Sequence, residues 1–150
     1  MRIIVDADAC PGRHIIEKAA KENSIDVIMY CDISHMITSE YSTVKYVDKG
    51  FQSVDVALTN AAKKYDIIVT QDYGVAAMAL GKKAYAISPK GYIYDDSNID
   101  KLLFERHISA KVRRSGGKTS SPKKRTKIDD ERLYKNLIRL IKGNLEEGTW

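Results

Sequence analysis

A chain of 150 residues, 43% hydrophobic and 30% charged, has the size and make-up of a single domain able to bury its own core. No apolar run reaches the roughly eighteen residues of a membrane span, residues 2–5 meet Asp6 and Asp8 too soon for a secretory leader, and two cysteines, Cys10 and Cys31, make no disulfide scaffold, so the expected compartment is the cytoplasm. The net charge of +5 is unevenly spread: nine basic and no acidic residues fall within 106–127, which leaves the rest of the chain net acidic.

In chain order, residues 2–6 read as a short apolar strand that ends in a carboxylate. Pro11 fits the first position of a helix, whose apolar face is Ile15, Ile16, Ala19 and Ala20. Strands are expected at 26–31 and 43–47. Ser53 caps a helix in which Val54, Ala57, Leu58, Ala61, Ala62 and Tyr65 recur at helical spacing. Residues 66–70 form a solid apolar run, as in a strand buried on both faces. Asp72 then caps a short helix through Leu80, closed by Gly81. A strand at 84–87 follows, and 92–94 pairs back on it as an edge. Asn98 caps a helix with Ile99, Leu102 and Leu103 on one face. The basic segment, with Gly116 and Gly117, reads as a mobile loop over 113–127. Asp129, Asp130 and Glu131 open a last helix over 129–142, with Leu133, Leu137, Leu140 and Ile141 as its stripe and Gly143 as its stop.

Strands alternating with helices predict an α/β fold: a three-layer α/β/α sandwich around a mostly parallel sheet, formed by one domain over 1–150. Ligands of such sheets bind beyond the carboxyl ends of the strands, where the strand order reverses. Asp6 ends the first strand, Asp8 follows it, Asp72 lies just beyond the strand at 66–70, and Asp55 sits in the first turn of a crossover helix that starts at the same edge. Singly, these acids have ordinary explanations as helix caps, dipole partners or loop acceptors. Together they place four carboxylates from three segments at one edge, where they repel unless protonated or shared by a cation. An all-oxygen donor set suits Mg²⁺ or Mn²⁺. His14, His35 and His107 lack zinc-ligand spacing, and the cysteines form no CxxC. The pair Asp6-Ala7-Asp8 also resembles the opening motif of the haloacid-dehalogenase phosphatases, although the late acidic motif of that family is poorly matched.

The stretches VDADACP (5–11), SVDVAL (53–58), DIIVTQDYGVAA (66–77) and VRRSGG (112–117) closely resemble the bacterial YaiI/YqxD family over nearly the whole chain. That family is similar to the PIN-like domains, metal-dependent nucleases on a small parallel sheet of strand order 3-2-1-4-5. The resemblance implies that Asp6, Asp55 and Asp72 of Thr70-Gln71-Asp72 form the acidic site, with Asp8 as an extra acid and Thr70 as a supporting hydroxyl. The expected function is therefore phosphodiester hydrolysis of RNA or DNA with Mg²⁺ or Mn²⁺ at Asp6, Asp8, Asp55 and Asp72. Arg113, Arg114, Lys118, Lys123, Lys124 and Arg125 are the expected contacts to the nucleic-acid backbone. The alternatives are a nucleic-acid-binding module with a vestigial metal site, and a haloacid-dehalogenase-like phosphatase.

Overall fold

In the computed structural model, which describes residues 1–48, 52–117 and 123–143, six strands form one sheet. They are β1 (Arg2–Asp6), β2 (Asp26–Asp32), β3 (Thr43–Val47), β4 (Ile67–Val69), β5 (Tyr85–Ile87) and β6 (Ile93–Tyr94). The order is β3-β2-β1-β4-β5-β6. All pairings are parallel except β5 with β6, the edge hairpin expected from 92–94. Ile3, Ile4 and Val5 of β1 and all three residues of β4 are fully buried, as the solid apolar runs require for strands covered on both faces.

Five helices cover the two faces: α1 (Arg13–Glu22), α2 (Val54–Ala61), α3 (Tyr73–Gly81), α4 (Ile99–Arg114) and α5 (Lys127–Ile141). On one face Ile16, Ala19 and Ala20 of α1 meet Leu133, Leu137 and Leu140 of α5 over Ile3, Val5 and Val69. On the other, Leu58 of α2, Ala76 and Ala79 of α3 and Ile99 of α4 close over Ile4 and Ile68. An ion pair between the partly exposed Arg2 and the buried Asp66 ties the amino edge together. Asp66 accepts from the Arg2 guanidinium at 2.6 Å, from the Arg2 backbone N–H at 3.1 Å and from the Lys63 N–H at 2.9 Å.

Several expected boundaries move, each for a local reason. Pro11 lies outside α1, because residues 7–9 form a tight 3-10 turn and Gly12 is the residue before the helix. Helix α2 stops at Ala61, so Tyr65 is not part of it. Ala62 turns extended, the Lys82 ammonium takes the carbonyl oxygens of Thr59 and Ala62, and Tyr65 sits exposed in a left-handed conformation. The expected basic loop at 113–127 is shortened at both ends, since Arg113 and Arg114 still belong to α4 and Lys127 to α5. Residues 106–114 belong to α4, whose last turn holds Lys111, Arg113 and Arg114, where cations complement the carboxyl-end dipole. Helix α5 starts two residues earlier than expected, at Lys127, because Thr126 and Asp129 form a reciprocal capping box.

Ser53 caps α2 by accepting the Val56 N–H at 3.1 Å. Ser53→Ala is expected to cost ~1 kcal/mol in urea unfolding, and an unchanged midpoint contradicts the cap.

Candidate active site

The strand order reverses between β1 and β4: β2 and β3 continue from one side of β1, and β5 and β6 from the far side of β4. Asp6 is the last residue of β1, and the register Val5 with Val69 sets it beside Thr70. Thr70 is buried. Its hydroxyl hydrogen-bonds the Asp6 carboxylate and accepts the Asp72 N–H at 3.0 Å. Asp72 Oδ1 in turn accepts from Gly74 and Val75, at 2.8 and 3.2 Å, and so caps α3. One residue thus serves both as a cap and as part of an acidic edge. Asp55, in the first turn of α2, lines a cleft of about 270 Å³ together with Asp72. Asp8 lies in the 3-10 turn, where its Oδ1 accepts the Asp32 N–H at 2.9 Å and meets His35 Nδ1 at 2.9 Å.

The electrostatics couple all four acids. Burial, followed by the charges of Asp55, Asp8 and Asp72, pushes the Asp6 carboxyl up to about 6, against the lowering effect of the Thr70 hydrogen bond. Burial and then Asp72 also raise Asp55, offset by Arg106. Arg106 places Nη1 3.4 Å from Asp72 Oδ1. It follows Ile99, Leu102 and Leu103 at i+7, i+4 and i+3, so the apolar stripe of α4 itself carries this cation to the edge.

The donors are carboxylate oxygens, which suit a hard divalent ion. Among the described residues, no three His, Cys, Asp or Glu side chains are grouped so as to hold one ion. Asp8 and Asp72 each engage Oδ1 with backbone N–H groups. Cys10 is buried, and burial pushes its thiol up to about 11, which leaves it a poor thiolate ligand or nucleophile.

The expected backbone contacts separate into three groups. Arg113 and Arg114 on α4, and Lys123 and Lys124 before α5, are exposed. Lys118 lies outside the described residues. Arg125 is not a free loop cation: Nε bonds Asp130 Oδ1 at 2.7 Å, Nη1 bonds the Pro89 carbonyl at 2.6 Å, and the guanidinium covers Gly12, where an added Cβ would lie 2.7 Å from Nη2. Arg125 therefore fastens the chain entering α5 to the carboxyl edge.

The family model described as "Uncharacterized BCR, YaiI/YqxD family" matches residues 4–143. The chain is 72% identical to a UPF0178 protein of Clostridium novyi over 99% of its own length and all of the relative's. It is 67% identical to a UPF0178 protein of Clostridium tetani over 94% of its own length and 97% of the relative's. A UPF0178 protein of Ruminiclostridium cellulolyticum is 53% identical over 97% and 95% of the two chains. No solved structure matches.

Proposed function

The chain belongs to the YaiI/YqxD family, and on that premise we propose that it is a metal-dependent nuclease with a PIN-like fold, hydrolysing phosphodiester bonds of RNA or DNA at the carboxyl edge of β1 and β4. The observation that carries this reading is the coupling of Asp6, Asp8, Asp55 and Asp72 at the point where the strand order reverses, with Asp6 pushed up to about 6. Mg²⁺ keeps several waters and takes one or two carboxylates plus substrate phosphate, so Asp6 with Asp55 or Asp72 would suffice to hold it. A bound divalent ion would supply an acidified water and neutralise charge on the attacked phosphate. The chain's own contribution is to orient: Thr70 fixes Asp6 against Asp72, the α3 cap fixes Asp72, and Arg106 offsets the negative charge that phosphate must approach. The exposed Lys123, Lys124, Arg113 and Arg114 would steer the backbone.

The test is incubation of single-stranded and duplex RNA and DNA with Mg²⁺, with Mn²⁺ and with chelator. Cleavage that needs the metal supports the reading, and binding without cleavage under every metal condition favours a binding module. That second reading draws on the Oδ1 atoms of Asp8 and Asp72 already being engaged within the protein.

Affinity should fall steeply with salt. Lys123→Ala with Lys124→Ala should flatten the log–log slope by about 0.7–0.9 for every phosphate the two lysines neutralise. An unchanged slope removes these lysines from the interface.

A further inference from the structure

Beside the acidic edge, on the β5 side, lies a cavity of about 560 Å³ that the nuclease reading does not use. Its size falls within the ~300–1,000 Å³ of small-ligand sites. Three tyrosines line it, Tyr73, Tyr92 and Tyr94, together with the cations Lys90, Lys123 and Arg125, and no acidic residue is among its described lining. The tyrosines are held in place. Tyr94 is buried, donates its hydroxyl to the Thr70 carbonyl at 3.2 Å and packs edge-on against Tyr73, with ring centroids 5.9 Å apart. Arg132 stacks on Tyr92, its guanidinium carbon 4.3 Å from the ring centroid, and is itself fixed by the Lys90 carbonyl and Asp129. Tyr92 lines the cavity, whereas Arg132 is not among its lining residues. Tyr92 remains 55% exposed.

Aromatic faces beside cations, with carboxylates excluded, match an unpaired nucleobase and its flanking phosphates. Duplex bases are paired and stacked and cannot enter such a cavity without being extruded. Tyr73 directly follows Asp72 in the chain, so the cavity begins next to the acidic edge.

We infer that this cavity is a base-seating subsite that selects single-stranded nucleic acid: one unpaired base stacks against Tyr92 and Tyr73 while Lys90 and Lys123 hold its phosphates. The inference rests on the nuclease reading for the role of the adjoining edge, but the binding needs no metal and no cleavage.

The test is fluorescence anisotropy in chelator with a labelled ten-nucleotide single strand, the same strand with abasic positions, and the blunt duplex. The single strand is expected to bind tightest. Tyr92→Ala should weaken it by about five- to 150-fold, toward the abasic strand, which is the range for losing one aromatic–base stack. Tyr92→Phe should keep the affinity, since it keeps the ring. Tyr92 is exposed, and a melt of each variant shows that a loss is not unfolding. Equal binding of abasic and intact strands, wild-type affinity in Tyr92→Ala, or saturation by a free mononucleotide that the longer strand does not improve upon overturns the subsite. Metal-dependent cutting with no effect of Tyr92→Ala overturns the subsite alone; base-dependent binding with no cutting leaves it standing and overturns the nuclease.

Discussion

Asp6→Asn is expected to unfold above the wild type at pH 7.5 in chelator and to lose that advantage, or fall below the wild type, once millimolar Mn²⁺ is added. The folded protein raises the Asp6 carboxyl from 3.8 to about 6. Between these values the folded state keeps a proton that the unfolded chain has released. Stability therefore falls as pH rises through that window, and the cost is complete above it. The gap corresponds to at most ~3 kcal/mol, and solvent reaching the half-buried carboxyl cuts it to ~1–2 kcal/mol. Asparagine removes the charge and can still accept from Thr70, so the variant should gain at pH 7.5 and match the wild type near pH 3. Metal acts in the opposite direction. An ion at 100 times its dissociation constant stabilises the wild type by ~2.7 kcal/mol, and most of that gain should be missing in the variant. Metal-dependent cleavage should drop by more than ~100-fold, the scale on which losing one group that stabilises charge in the transition state is felt. Thermal melts with and without Mn²⁺ across pH 3–8 check each part. A wild type whose midpoint ignores Mn²⁺ counts against the metal site, and a variant no more stable in chelator counts against the coupling of the four acids.

Gly91→Ala should be among the most damaging single changes in the chain. Gly91 closes the turn at 88–91 with φ +89°, and α5 lies against it backbone to backbone: an added Cβ would stand 2.4 Å from the Leu133 nitrogen and 2.6 Å from the Arg132 carbonyl carbon. Asn136 also donates to the Gly91 carbonyl at 2.7 Å. A methyl group there must push the helix off the sheet, at ~4 kcal/mol or more, a large share of the ~5–15 kcal/mol that holds a domain folded. Gly116 supplies the control. It has φ +82° but, among the described residues, nothing within 4 Å of an added Cβ, so Gly116→Ala should cost only the ~1–2 kcal/mol of an unfavourable backbone conformation. Urea unfolding of the two variants separates close approach from dihedral strain, and equal losses contradict the packing of α5 on the turn.

The strands at 2–6 and 66–70 are readable because each is a short, mostly apolar run with an Asp at one end, and the strand at 43–47 because its β-branched and aromatic residues stop at Asp48. Asp6, Thr70 and Asp72 are readable for the same reason, since they sit at strand ends whose position follows once the strands do. The stretch at 113–127 misleads at its ends because charge density says where solvent is but nothing about backbone: Arg113 and Arg114 are helix despite their charge, and so is Lys127. Arg125 reads as a mobile cation because its partners, Asp130 and the Pro89 carbonyl, become visible only once α5 and the β5–β6 turn are placed. Arg106 carries a usable signal, its spacing from Leu102 and Leu103, whereas the tyrosine cavity carries none, since 73, 92 and 94 converge only through the sheet.

Among the described residues, the three fully buried leucines of the first core layer, Leu133, Leu137 and Leu140, all come from α5, yet the strands they cover are complete by Tyr94. During synthesis the sheet therefore exists as sequence long before its lid does. A ribosome that stalls, or a message that breaks, between codons 115 and 126 releases a chain with all its strands and with α1 to α4, but with apolar surface uncovered where α5 would lie. Such a fragment is a substrate for chaperones and proteases rather than a smaller version of the protein. Placing this closing element after every strand makes its translation a condition for a covered core.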